Sequence, residues 1–76
     1  MVSDWEIAER IGPEFKAARE RKGWTQTQAA LEIGCSATEV GAYENARKTP
    51  SFSRFLQICK VYGLNPGKLM VLAATK

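Results

Sequence analysis

The side chains of this chain that are suited to chemistry are hydroxyls, amides and cations. Thr25 with Gln28, and eleven residues further on Ser36 with Glu39, form two patterns that close the first turn of a helix. In each, the hydroxyl accepts a backbone N–H of the opening turn while the longer side chain reaches back to the start. The remaining free N–H groups of such a turn attract phosphate and other anions. Asn45, Arg47 and Lys48 follow in a polar loop and add donors and positive charge of the kind that grips phosphate. Histidine, the usual general base and metal ligand, does not occur. Cys35 and Cys59 lack metal-ligand spacing and fall at apolar positions of helical patterns. They read as small buried hydrophobes, with a disulfide or redox role as the alternative. No Gly-rich phosphate loop and no nucleophile–base set is present, so the sequence predicts no enzyme, no catalytic residue, no metal and no cofactor.

The elements that must hold these groups can be read from the same residues. Gly34, between the two capping patterns, suits the left-handed residue that ends a helix. The stretch from Thr25 to Glu44 is therefore a short helix, a tight turn and a second short helix, with small Ala30 on the inner side where the two cross. That is a helix-turn-helix, whose second helix can enter the major groove of DNA. Ser3 and Glu6 predict a further capped helix to about Arg10, interrupted at Gly12-Pro13, with Pro13 opening the next helix to about Lys22. Gly23 ends that helix, and Trp24 is placed to staple the entry to the following one. Ser51 caps a helix with an apolar stripe of Phe52, Phe55, Leu56, Cys59 and Tyr62, closed by Gly63. Asn65-Pro66 then opens a last helix through Leu69, Met70 and Leu72. No strand alternation competes, so the fold class is all-α: five helices with a short helical N-terminal extension over residues 1–10 and a domain over 11–76.

Seventy-six residues suffice for one small core. The charge is unevenly placed. Residues 1–24 balance five bases against five acids, residues 25–44 carry Glu32, Glu39 and Glu44 with no base, and residues 45–76 carry six bases and no acid. Phosphate attraction must come from the C-terminal half, beside a motif that is itself acidic. No apolar run is long enough to span a bilayer. The acidic start, Met1-Val2-Ser3-Asp4-Trp5-Glu6, lacks the order of a secretory signal, which predicts a cytoplasmic protein with no membrane partner.

From about Ile11 to Met70 the chain resembles the phage repressor/Cro-type (XRE) helix-turn-helix proteins. The matching residues are Arg19, Gly23, Thr25-Gln26, Ala30, Gly34, Ser36, Val40, Glu44, Pro50 and Gly63-Leu64. The resemblance implies a compact lambda-repressor-like domain that binds double-stranded operator DNA as a homodimer and regulates transcription. It implies that Thr25 and Gln26 meet the DNA backbone, with Asn45, Arg47 and Lys48 gripping phosphates from the loop. It places Ser36, Ala37, Thr38, Gly41 and Ala42 at the major groove, and it pairs Arg19 with Glu44 in an inward salt bridge, where two solvated charges are the alternative.

The chain departs from that pattern in ways that bear on function. Ala37, Gly41 and Ala42 stand where relatives carry long base-reading side chains, leaving Thr38 as the ready hydrogen-bonding reader. Gly41 either permits close approach to DNA or marks a face relieved of reading. Ala46 stands where glycine is usual in a left-handed turn, which puts the path of the Arg47 loop in question. Leu31 falls on an exposed face, and Leu69, Met70 and Leu72 form a candidate dimer interface, with terminal core packing as the alternative. These departures keep a second reading open: a protein-interaction module of antitoxin or adaptor type on the same fold, with a protein partner in place of DNA.

Overall fold

A computed structural model describes residues 2–75, so Met1 and Lys76, the last of the six C-terminal bases, lie outside the described residues. Five helices are present among those residues: α1 (Asp4–Arg21), α2 (Gln26–Ile33), α3 (Ala37–Glu44), α4 (Phe52–Tyr62) and α5 (Pro66–Ala74). Each begins at a side-chain cap. Ser3, Thr25, Ser36, Ser51 and Asn65 accept the N–H of the residue three positions on. In α2 and α3 the reciprocal bond is also made, completing both capping boxes. Gly34 and Gly63 end α2 and α4 in the left-handed conformation, at φ of 90° and 71°.

The interruption expected at Gly12-Pro13 does not occur. α1 is one helix of 18 residues, so residues 4–10 of the expected N-terminal extension are its first two turns. Two local reasons permit this. Gly12 has no Cβ to collide with the Pro13 ring, and the carbonyl that Pro13 leaves unbonded belongs to exposed Glu9, where water can reach it. The driving force is burial: Ala8, Ile11, Phe15 and Ala18 form an unbroken helical stripe through the proline. Gly12 has a second role. A Cβ there would stand 2.8 Å from the Glu44 carbonyl oxygen and 2.9 Å from that of Tyr43, so only glycine lets α1 touch the end of α3 backbone to backbone.

The core gathers Ile11, Phe15 and Ala18 of α1, Ala29, Ala30 and Ile33 of α2, Val40 and Tyr43 of α3, Phe55, Ile58, Cys59 and Tyr62 of α4, and Leu69 and Ala73 of α5. Phe15 lies 6.3 Å from the Phe55 ring and 6.5 Å from that of Tyr62, which in turn lies 6.3 Å from Trp24. α4 is turned relative to the expected stripe. Its buried face is Phe55, Ile58, Cys59 and Tyr62, while Phe52 and Leu56 are exposed. α5 likewise buries Leu69 and Ala73 and leaves Met70, Val71 and Leu72 outside. Arg10 Nη1 donates to the Ala73 carbonyl at 2.7 Å, tying the start of the chain to its last helix. Both cysteines are free, and burial pushes both thiols up, which suits packing and not reactivity.

Candidate nucleic-acid interface

The second helix of the motif, α3, is only eight residues long, too short to persist without support. Support comes from one end through Gly34 and the Ser36 cap, and from the other through Glu44. The Glu44 side chain is 2% exposed, and Arg19 grips it with two bonds, Nε to Oε2 at 2.6 Å and Nη2 to Oε1 at 3.1 Å. Gln26 Nε2 adds a third at 3.3 Å, and Arg19 Nη1 donates to the Trp24 carbonyl at 2.8 Å. The hydrogen bond to Glu44 raises the Arg19 pKa above its ordinary value, against the opposing effect of burial. One carboxylate thus binds α1, the start of α2 and the end of α3 into a single frame.

On that frame the sequence-derived site residues fall into three groups. Ser36 and Thr38 are exposed at the start of α3, and Thr25 is exposed at the start of α2. The Thr25 and Ser36 hydroxyls each accept one N–H of the opening turn, and the other N–H groups of such a turn attract phosphate. Ala37, Gly41 and Ala42 are half-buried, with Ala37 packed against the core, so Ala37 is a weaker candidate for base contact than Thr38. Gln26 is also half-buried. Its amide is bonded to Glu44, and a Cβ at Gly41 would meet that amide at 3.4 Å. Gly41 therefore leaves a shallow place on α3 that the Gln26 side chain borders.

The third group is the loop after α3. Asn45 is the C-cap of α3, and Ala46 adopts φ of 58°. The alanine accepts the left-handed turn despite its Cβ, and the Arg47 N–H closes on the Ala42 carbonyl at 2.9 Å. Asn45 and Arg47 are exposed. Lys48 is exposed as well, but its Nζ lies 3.5 Å from Glu39 Oε2 and 5.9 Å from the centre of the Tyr43 ring. The Ser36 N–H, followed by Lys48 and Arg54, holds the Glu39 carboxyl below its ordinary value, against opposing desolvation. Arg54 Nη1 donates to the Gly34 carbonyl at 3.3 Å, bringing a further cation to the turn between the motif helices. Sequence reasoning named neither Glu39 as a partner of Lys48 nor Arg54 as a neighbour of the turn. Both contacts cross a loop, where no helical spacing signals them.

The described residues also form an apolar groove of about 460 Å³ between the start of α1, the loop at Thr49-Pro50, the start of α4 and α5. Trp5, Met70, Val71 and Leu72 are exposed, as is Leu31 of α2. Leu69, grouped with Met70 and Leu72 as a candidate interface residue, points into its own core. Among the described residues no helix is long and apolar enough to cross a membrane.

No curated protein matches the chain. A protein-family model described as a helix-turn-helix domain matches residues 10–71, spanning all of α2, α3 and α4 and most of α1 and α5. With four-fifths of its length accounted for and the two capped motif helices in place, the chain belongs to the helix-turn-helix domain family.

Proposed function

We propose that this protein is a transcriptional regulator of the phage repressor/Cro type that binds specific sites in double-stranded DNA as a homodimer. The observation that carries the reading is the mounting of α3. Its ends are fixed by the Ser36 cap and the Arg19–Glu44 bridge, while Ser36 and Thr38 at its start and Arg47 beyond its end are exposed. A helix held this way enters the major groove at a set angle. The free N–H groups at the starts of α2 and α3, with Thr25, Asn45, Arg47 and Lys48, meet the phosphates. Thr38 reads a base edge, the methyls of Ala37 and Ala42 offer apolar contact to thymine, and the shape of the duplex supplies the rest of the selectivity.

With few base-readers, affinity falls steeply with salt and specificity is modest. Selection of bound sequences from a random duplex pool at two salt concentrations tests this directly. An enriched half-site repeated with two-fold symmetry supports the proposal. Failure to retain any duplex at low salt sinks it.

A second reading has one observation in its favour: an apolar groove between α1, α4 and α5, lined in part by Met70, with Trp5, Val71 and Leu72 also exposed. In the leading proposal Met70 and Leu72 meet a second copy. In the alternative the same surface takes an unlike protein partner and DNA binding is weak or lost. Sedimentation of the purified chain distinguishes them, since a dimer dispersed by Met70→Glu favours self-association.

A further inference from the structure

Glu39 stands in the first turn of α3, and its two carboxylate oxygens have different partners. Oε1 accepts the Ser36 N–H and the Ser36 hydroxyl, each at 3.4 Å, which completes the cap. Oε2 accepts the Tyr43 hydroxyl at 3.4 Å and lies 3.5 Å from Lys48 Nζ. The cap needs only the first oxygen, which a glutamine would also supply, as an uncharged and weaker acceptor. The charge favours the start of α3, but the second oxygen is left for other partners. What it does is hold the Lys48 ammonium back over α3 and the Tyr43 ring. An ammonium paired with a carboxylate has less charge and fewer free donors to offer a phosphate, so a duplex reaching this corner competes with Glu39 for Lys48.

We infer that Glu39 is an internal competitor of DNA phosphate for Lys48, and that it weakens binding to every sequence alike. This rests on the DNA-binding reading above and adds to it a residue that sets the strength of the backbone grip. An exposed ion pair of this kind withholds a factor of about two to five in affinity. Glu39 therefore tunes the domain away from tight, indiscriminate binding.

The test is a double-mutant cycle on Glu39→Gln and Lys48→Ala, read as affinity for a short mixed-sequence duplex at low salt. Glu39→Gln keeps the cap, which a thermal melt verifies. It should tighten binding about two- to fivefold. Lys48→Ala should weaken binding in both backgrounds, and by a larger factor in the background of Glu39→Gln, because there no internal pair offsets the lost phosphate contact. Equal losses in the two backgrounds would mean that Glu39 only repels DNA and does not hold Lys48, which overturns the inference. So would an affinity unchanged by Glu39→Gln. A protein that binds no duplex in any of the four forms ends the DNA-binding proposal and this inference with it, an outcome distinct from binding without coupling.

Discussion

Replacing Arg19 with methionine tests the frame that holds α3. Methionine keeps most of the aliphatic stem and removes the two bonds to Glu44, at 2.6 and 3.1 Å, together with the bond to the Trp24 carbonyl. The Glu44 carboxylate, with 2% of its side chain exposed, is left with Gln26 as its remaining side-chain partner. Removing one member of a buried pair leaves an uncompensated charge and destabilises by roughly 3–5 kcal/mol. Arg19 retains 12% exposure, so water can enter and the lower end, about 3 kcal/mol, applies. A chain of this size has a total stability of about 4–11 kcal/mol, so the loss is a large share of it. At about 4–8 °C per kcal/mol the melting temperature should fall by about 12–24 °C, followed by far-ultraviolet circular dichroism. The double variant Arg19→Met with Glu44→Leu removes both charges and should recover much of the loss. Two results refute the reasoning: a single-variant cost below about 1 kcal/mol, the range of a solvated surface pair, or a double variant no more stable than the first.

Ala46→Gly should raise stability by about 1 kcal/mol, because φ of 58° strains an alanine and not a glycine; urea melts showing no gain would mean that the turn relaxes. Gly12→Ala should destabilise the fold despite the better helix propensity of alanine, since the new Cβ meets two backbone carbonyls under 3 Å away, and a stabilised variant would show that α1 and α3 are not in backbone contact. Arg47→Ala should weaken binding to all duplexes and flatten the salt dependence by about one ion, whereas changing Thr38 should shift sequence preference, a contrast read from the same selection experiment. Burial pushes Tyr62 up to about 12, so the folded state favours the neutral phenol. The unfolded chain releases that proton near its ordinary value of about 10, so Tyr62's contribution to stability is full below that pH and is lost progressively up to about 12. Tyrosinate absorbance and unfolding followed together across that window check the sign.

The parts of the fold written in local chemistry were legible from the sequence. All five helix starts follow from a hydroxyl or amide side chain that accepts the N–H three residues on, and α1, α2 and α4 are closed by left-handed glycines at Gly23, Gly34 and Gly63. Pro13 misled because its cost, a lost bond to the exposed Glu9 carbonyl, is eased by Gly12 before it and offset by the buried stripe that runs through it. The facing of α4 and α5 was less legible. Phe52, Leu56, Met70 and Leu72 are as apolar as Ile58 and Leu69, and only the crossing of the helices decides which of them go inside. At the candidate interface, the Arg19–Glu44 pair was accessible through family resemblance alone, as the two residues are 25 apart. The meeting of Lys48 with Glu39 depends on a turn at Ala46 whose backbone path no sequence pattern specified.

Tertiary placement also bears on how an acidic motif would meet a polyanion. The segment from Thr25 to Glu44 carries three acids and no base, which by composition alone argues against DNA. Two of the three are answered within the fold by cations from outside the segment. Arg19 arrives along α1 and neutralises Glu44 in the interior, and Lys48 returns through the loop to Glu39. Arg54 reaches the Gly34 carbonyl between the motif helices, and Arg47 stands exposed beyond the end of α3. The field that a duplex would meet is therefore set by tertiary placement and not by the charge of the motif. The two pairs differ in what they do: the enclosed Arg19–Glu44 bridge fixes the angle of α3 and is lost only with the fold, whereas the exposed Glu39–Lys48 pair can open while the fold stays intact. On the proposed function, a rigid α3 beside an exchangeable cation would separate where a duplex docks from how strongly it is held.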